Sequence, residues 1–182
     1  LVNGRCAGVE ITTPNDVIVD NNGNIYFTDS IREKGNVFLL ANNNTAHVLI
    51  SGLDYPNGLA FSPDQRYLYV AESYKNRISC YDISGGTALI WRAELPANKS
   101  GNQIDNLPDG IAVNSSGTIY VAHYGMSAIQ ILSREGKLTD AIHTPFPLVS
   151  NLHCGSNGLI VTGGYGEPGP GIVAKVIFDE TI

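Results

Sequence analysis

Short apolar segments bounded by Gly, Pro, Asn and Asp recur along the whole chain. Each is the length of a β-strand and is rich in β-branched and aromatic residues, as in 24–28, 67–71 and 118–122. This composition and length predict strands. No stretch combines a sustained 3.6-residue apolar period with capping signals, so no long helix is predicted. The pattern indicates an all-β protein.

A hairpin unit repeats along the sequence. Each copy begins with Pro and then Asn or Asp, followed by a short apolar strand, a polar turn and a second strand containing Tyr. The copies begin at Pro14, Pro56 and Pro108, which are 42 and 52 residues apart, and a weaker fourth copy covers 150–162. Two further strand-like runs follow the hairpins. Four strands in each repeat of about 40–50 residues are typical of a β-propeller blade.

We therefore predict one β-propeller domain over 1–182, built from four-stranded antiparallel blades. The longer second spacing is explained by a polar surface loop at Pro96–Asn106, and Leu1–Ile11 is predicted to be the outer strand of a preceding blade. The predicted blades cover 14–53, 56–95, 108–144 and, as a partial blade, 148–178.

Composition narrows the class of protein. The 182 residues are 43% apolar, enough for one domain with a buried core, and no apolar run is long enough to span a membrane. Eleven basic against seventeen acidic residues, a net charge of −6, argue against nucleic acid as a partner. We expect a soluble protein.

The three cysteines, Cys6, Cys80 and Cys154, lie far apart without a CxxC spacing, so free thiols are predicted. Free thiols favour the cytoplasm. A secreted or periplasmic location stays open because the sequence starts at Leu1 without Met.

The hairpin motifs resemble those of the SMP-30/gluconolactonase/luciferin-regenerating-enzyme family. Asn15-Asp16, Asn57-Gly58 and Asp109-Gly110 occur in the family's order, and the similarity runs from Pro14 to the last strand. The resemblance implies a six-bladed propeller, of which this chain contains about four blades. Three interpretations of the missing blades stay open: a truncated chain, self-association through open blade edges, or closure as a four-bladed ring.

The same resemblance implies metal-dependent hydrolysis of a small-molecule lactone or ester. Asn57 and Asp109 correspond to metal ligands, Asp109 also to a general base, and Asn15 and Asp16 to substrate-binding residues. One divalent cation is implied, with Ca²⁺ favoured and Mg²⁺, Mn²⁺ or Zn²⁺ as alternatives. Two features depart from the family: the chain begins after the position of its remaining Glu ligand, and Thr13 stands where Arg is often found.

The chemistry of these residues supports the same site. Asn15, Asn57 and Asp109 begin equivalent inner strands, so their side chains are expected to meet at one end of the central channel. Amide and carboxylate oxygens suit Ca²⁺, Mg²⁺ or Mn²⁺, whereas no His/Cys cluster selects Zn²⁺. Asn and Asp also cap turns in any propeller. A non-catalytic small-molecule- or metal-binding propeller and an interaction scaffold are therefore the alternatives to a hydrolase.

Three other motifs are interpreted as structural. Gly164–Gly169 fits GxGxxG but precedes a strand, so a loop of the last blade is predicted. His123-Tyr124 ends the second strand of the third repeat and could reach the channel, although packing is the favoured role. A tyrosine recurs at one repeat position, which predicts packing between blades at Tyr26, Tyr69 and Tyr120.

Overall fold

The computed structural model describes residues 3–100, 102 and 105–178, and strands account for most of them. Within this part of the chain, the one helical element with defined bounds is a 3₁₀ turn at Ser73–Lys75. Four antiparallel sheets follow one another along the chain, and in each sheet the strands lie in chain order. The predicted all-β propeller of successive blades is confirmed.

The first three blades have four strands and the last has three. Blade one comprises β3 (Pro14–Val19), β4 (Ile25–Asp29), β5 (Gly35–Leu40) and β6 (Ala46–Leu53). Blade two comprises β7 (Pro56–Phe61), β8 (Tyr67–Glu72), β9 (Arg77–Asp82) and β10 (Ala88–Glu94). Blade three comprises β11 (Leu107–Val113), β12 (Ile119–Tyr124), β13 (Ala128–Leu132) and β14 (Leu138–His143). Blade four comprises β15 (Leu148–Gly155), β16 (Gly158–Gly164) and β17 (Gly171–Ile177).

The inner strands pack side by side in chain order, β3 on β7, β7 on β11 and β11 on β15. Each one has a register irregularity just after its first residues, where the Asn-Asp, Asn-Gly, Asp-Gly and Ser-Asn pairs lie. An extra residue in one strand bends the chain locally and redirects a side chain. The repeated irregularity therefore places polar side chains at one end of the propeller.

Hydrophobic layers between consecutive blades hold the fold together. One cluster joins blades one and two, a second joins blades two and three, and a third joins blades three and four. Tyr26, Tyr69 and Tyr120 each belong to one of these clusters and are nearly fully buried. The Tyr26 ring also contacts Phe61 of the next blade edge to face. The predicted packing role of the repeated tyrosines is confirmed.

The segment before the first blade differs from the prediction of a single outer strand. It forms a hairpin of two short strands, β1 (Arg5–Cys6) and β2 (Val9–Glu10), paired with each other. The two turn residues, Ala7 and Gly8, have φ values of 50° and 81°. Two consecutive residues with positive φ make the tight turn of a two-residue hairpin, which reverses the chain where the sequence pattern suggested one extended run.

Blades one and four each expose apolar side chains. Val17 and Val19 on β3 are 59% and 57% exposed, and Val173 and Ile177 on β17 are 73% and 66% exposed. Self-association through these blades stays a prediction.

In the described part of the chain no helix is long and apolar enough to cross a membrane. The thiols of Cys6, Cys80 and Cys154 are free, as expected.

A buried polar residue on the second strand of each of the first three blades pairs with the proline that begins the inner strand: Asp29, Glu72 and His123, all at most 1% exposed. Each blade binds it differently, and Oδ2 of Asp29 and Nε2 of His123 have no hydrogen-bond partner among the described residues. The Asp29 carboxylate accepts backbone N–H groups of the segment before β3, whereas the His123 ring is hydrogen-bonded to Gln130 at 3.1 Å. The full burial of His123 and its contact with Gln130 of the same blade support packing as its role.

Glu72 is the most extensively bound of the three. It accepts two hydrogen bonds from the Arg77 guanidinium at 2.9 and 3.0 Å and one from the Ser79 hydroxyl at 2.7 Å. Burial acts to raise the pKa of Glu72, but the hydrogen bonds from Arg77 and Ser79 and the Arg77 charge lower it below its ordinary value. The ionised pair therefore contributes to stability above pH about 4.5, and this contribution is lost as the pH falls further.

We expect Glu72→Gln to lower the unfolding free energy by about 2 kcal/mol at pH 7, because it leaves Arg77 without a buried counter-charge. This corresponds to a drop in Tm of about 4–8 °C. The difference from wild type should shrink below pH about 4.5. Glu135→Gln, at a carboxylate that is 70% exposed, is the control and should leave Tm nearly unchanged. A difference in Tm that stays constant from about pH 3 to about pH 7 would contradict the stabilising role of the ionised Glu72–Arg77 pair.

Candidate functional site

A cavity of about 450 Å³ lies at the end of the propeller where the inner strands begin. Asn57 of β7 and Asp109 of β11 both line it, from neighbouring blades. Its walls come from the loops that leave the second strands and from those that enter the inner strands. These loops contribute Tyr55, Tyr74 and Glu167, and the end of β12 contributes Tyr124. Two of the four predicted site residues therefore share one cavity.

The glycines after Asn57 and Asp109 explain why the two inner strands lie so close. A Cβ atom on Gly58 would lie 2.2 Å from the carbonyl oxygen of Asp109, and one on Gly110 would lie 2.2 Å from Oδ1 of Asn151. Neither distance can be accommodated without moving the neighbouring strand. The Asn-Gly and Asp-Gly pairs thus combine a polar side chain at the cavity with a residue small enough for the next blade to approach.

Asn57 is held by hydrogen bonds to blades one and two. Its Nδ2 donates to the Ser73 hydroxyl at 3.3 Å, and its backbone carbonyl accepts from the Thr28 hydroxyl at 3.0 Å. The buried Ser73 hydroxyl in turn donates to the carbonyl of Pro108 at 2.7 Å, next to Asp109. Ser73 therefore links the two cavity residues. It engages the nitrogen of the Asn57 amide, and the amide oxygen is the atom that a hard cation uses.

Asp109 has an unusual electrostatic environment. Burial and the nearby charge of Asp16 raise the pKa of Asp109 to about 7, and a hydrogen bond from Asn57 only partly offsets these effects. A carboxyl group with this pKa changes protonation state near neutral pH, which suits proton transfer. The same raised pKa means that the ionised carboxylate lacks a cationic partner among the described residues.

Asp16 and Asn15 occupy different positions from the other two. The Asp16 carboxylate accepts the backbone N–H of Leu59 at 2.7 Å and that of Val17 at 2.9 Å. Burial raises the pKa of Asp16, and these two hydrogen bonds oppose the increase. Asn15 is exposed to solvent. Neither residue is among the described ones that line the cavity, so the structure brings together Asn57 and Asp109, with Asp16 near enough to influence Asp109.

The donor set fits a hard divalent cation. Asn57 and Asp109 offer an amide and a carboxylate oxygen in one cavity, and Asp109 is a carboxylate whose charge a cation would stabilise. Among the described residues, His, Cys, Asp and Glu form no group of three or more able to hold a metal. Two protein ligands leave the remaining coordination positions to water or substrate oxygens.

Glu167 was not predicted as a site residue, and Tyr124, which was expected to be able to reach the channel but assigned to packing, lines the cavity. The Tyr124 hydroxyl donates to the Glu167 carboxylate, which joins the end of β12 in blade three to the loop between β16 and β17 in blade four. Within the Gly164–Gly169 segment, Gly164 ends β16, and the rest, including Glu167, forms a loop of the last blade as predicted. The signal that could have identified Glu167 was the place of its loop in the repeat. This loop follows the second strand of blade four, as Tyr74 follows the second strand of blade two. Such loops lie at the same end of the propeller as Asn57 and Asp109.

Comparison with known proteins gives a consistent assignment. Residues 5–162 match the SMP-30/Gluconolactonase/LRE-like region. Among curated proteins, Lactonase drp35 of Staphylococcus haemolyticus is 29% identical over 128 residues, which are 66% of this chain and 38% of that protein. Lactonase drp35 of Staphylococcus saprophyticus is also 29% identical, over 71% of this chain and 41% of its own length. The chain thus spans about two-fifths of these relatives.

Among solved structures, a gluconolactonase from Xanthomonas campestris superposes with a TM-score of 0.74 and 29% identity, over 97% of this chain and 61% of that one. A luciferin-regenerating enzyme superposes with a TM-score of 0.68 and 24% identity, over 82% of this chain and 53% of its own, and supports the fold alone. The matched region, the repeated Asx motifs and the propeller agree: this chain belongs to the SMP-30/gluconolactonase/LRE-like family.

Proposed function

We propose that this protein is a lactone hydrolase in which Asp109 is both a ligand of a divalent cation, Ca²⁺ being favoured, and the general base. The observation that carries the proposal is the pairing of Asn57 and Asp109 in one cavity, where no Lys or Arg among the described residues offsets the charge of the Asp109 carboxylate. The relatives named lactonase and gluconolactonase support the class of reaction. Asn15 and Asp16 are proposed to contact the substrate from the neighbouring inner strand.

The roles follow from the chemistry of each side chain. The Asn57 amide, fixed by Ser73, orients one oxygen donor, and Asp109 supplies an anionic donor beside it. A divalent cation, when bound, polarises the lactone carbonyl and lowers the pKa of a water molecule. Asp109 accepts the proton of the attacking water, whose oxygen forms a bond to the carbonyl carbon. The ring C–O bond then breaks, and the leaving oxygen takes this proton from Asp109, which gives a hydroxy acid and restores the carboxylate.

The experiment is a panel of five- and six-membered lactones and simple esters, assayed with Ca²⁺, Mg²⁺, Mn²⁺ or Zn²⁺ and after treatment with a chelator. We expect hydrolysis of at least one lactone, its loss on chelation and its recovery when a divalent cation is added back. Melting curves with each cation give a readout independent of activity, because a ligand that binds the folded state raises Tm. Cation-dependent stabilisation without hydrolysis of any lactone or ester would instead support the non-catalytic metal-binding propeller.

A further inference from the structure

The cavity contains more negative charge than the proposed cation site uses. Besides Asp109, the carboxylates of Asp105 and Glu167 line it, and no Lys or Arg does so among the described residues. Arg32 stacks on the Tyr74 ring at 3.8 Å, but it is paired with the buried Asp54 at 2.7 Å. A divalent cation bound between Asn57 and Asp109 would offset two of these three negative charges, so the lining would still carry about one net negative charge.

Glu167 is held in place at the cavity wall. It lies on an exposed loop, where a free carboxylate would extend into solvent, but the Tyr124 hydroxyl donates to it from the neighbouring blade. Tyr124 is itself half-buried and lines the same cavity. Hydrogen bonds to an ionised acceptor are stronger than neutral ones, so this contact fixes a negative charge beside the space that a substrate would occupy.

The remaining walls are uncharged and partly apolar. Tyr55, Tyr74 and Tyr124 present aromatic rings, and Leu107 and Leu148 present aliphatic side chains. Such a surface binds the carbon skeleton of a small organic molecule. Selectivity for charge within the cavity therefore depends on its three carboxylates, which outweigh a bound divalent cation by one negative charge and so repel an anionic group on the substrate.

We propose that Glu167, positioned by Tyr124, makes this cavity selective for neutral lactones and esters over those that carry a carboxylate. Glu167 is a specificity-determining residue and Tyr124 is a positioning residue. The inference rests on the proposed function, because it concerns the substrate class of the same site. A single negative charge that lies about one substrate width from an anionic group, in a partly solvated cavity, changes the affinity for that anion about fivefold.

The test uses a pair of stable analogues, so that binding is separated from hydrolysis. The first is a six-membered lactam (piperidinone), and the second is the same lactam bearing a carboxylate on its ring. Their affinities are measured by calorimetry with saturating Ca²⁺ for the wild type, Glu167→Gln, Tyr124→Phe and Glu135→Gln. The Gln variant removes the charge but keeps an oxygen that accepts from Tyr124, and Glu135→Gln removes an exposed charge outside the cavity.

We expect the wild type to bind the neutral lactam about tenfold more tightly than the anionic one. Glu167→Gln should reduce this ratio about fivefold, Tyr124→Phe should reduce it less, and Glu135→Gln should not change it. High salt should also reduce the wild-type ratio. With any lactone that is hydrolysed, Glu167→Gln should lower KM for its carboxylate-bearing derivative by a larger factor than KM for the neutral lactone.

An unchanged ratio in Glu167→Gln, a wild type that prefers the anionic lactam, or a wild type that binds neither lactam would each overturn the inference. The expected ratios without hydrolysis of any lactone would support the selectivity of the cavity and refute the proposed catalytic function. Failure of the two proposals is thus distinguishable.

Discussion

Replacing Asp109 by Asn is expected to lower lactone turnover by about 100-fold or more, because Asn can still ligate a cation but cannot accept a proton. The fold should survive, since Asn57 occupies the equivalent position of the preceding blade. Affinity for divalent cations should also fall, because one anionic ligand is lost. Initial rates and the increase in Tm produced by Ca²⁺ measure the two effects.

The same substitution is expected to stabilise the folded protein when no divalent cation is present. The pKa of Asp109 is raised to about 7 in the folded state from an ordinary value of 3.8, so the folded state binds this proton more tightly than the unfolded state does. Stability therefore falls as the pH rises from about 4 towards 7, because over this range the unfolded chain loses the proton while the folded state retains it. Without divalent cations, Asp109→Asn should raise Tm at pH about 8 by about 2–4 °C, and the gain should disappear near pH 4.

Asp140→Asn is the matched control, because Asp140 is an exposed carboxylate on β14 outside the cavity. It should leave the rate, the Ca²⁺ response and the pH dependence of Tm unchanged. An Asp109→Asn protein with the wild-type rate and the wild-type rise in Tm on adding Ca²⁺ would contradict both roles assigned to Asp109. A purely structural role predicts at most the loss of a capping interaction, about 1 kcal/mol at every pH.

Gly58→Ala is expected to have the largest effect on stability, a loss of about 3 kcal/mol. The added Cβ would meet the Asp109 carbonyl oxygen at 2.2 Å, the Gly110 Cα at 2.8 Å and the Ile111 nitrogen at 2.9 Å. All three are backbone atoms, so no side-chain rotation relieves the contact, and β11 must move away from β7. We expect Tm to fall by about 6–12 °C. Because Asp109 moves with β11, the Ca²⁺-dependent rise in Tm should also decrease.

Gly85→Ala is the control for the loss of glycine itself. Gly85 lies between β9 and β10, and a Cβ there has no atom within 4 Å. Its Tm should match the wild type or rise slightly, since Ala restricts the unfolded chain. Equal melting temperatures for the two alanine variants would show that close packing of β7 on β11 does not require Gly58.

The general position of the cavity was predictable from the repeat. A Pro-Asx pair at the start of each hairpin marks one end of every inner strand, and inner strands of a propeller surround one channel. Asn57 and Asp109 were therefore expected to lie at the same end, and the structure places both in one cavity. The packing role of the repeated tyrosines was predictable for the same reason, because equivalent positions in a repeat have equivalent neighbours.

The positions of the Asn15 and Asp16 side chains outside the cavity lining, and the contribution of Glu167 to that lining, were not predictable in this way. The repeat predicts the position of a residue on the backbone of its blade, but the orientation of its side chain depends on contacts with the next blade. The Asp16 carboxylate accepts the N–H of Leu59, beside Gly58, a residue with no side chain. Glu167 enters the cavity wall because a loop of blade four is joined to Tyr124 of blade three, a contact between residues 43 positions apart.

The fold class, the family and the end of the propeller at which chemistry is expected follow from hairpin periodicity and Asx-Gly motifs, which are local patterns. The set of polar residues that share the cavity, the extent to which the pKa of Asp109 is raised, and the loop that contributes a further charge depend instead on how the blades pack. These properties arise from burial and from distances between residues remote in the chain. Local patterns do not encode them, since desolvation and Coulomb interaction depend on the packed environment as a whole.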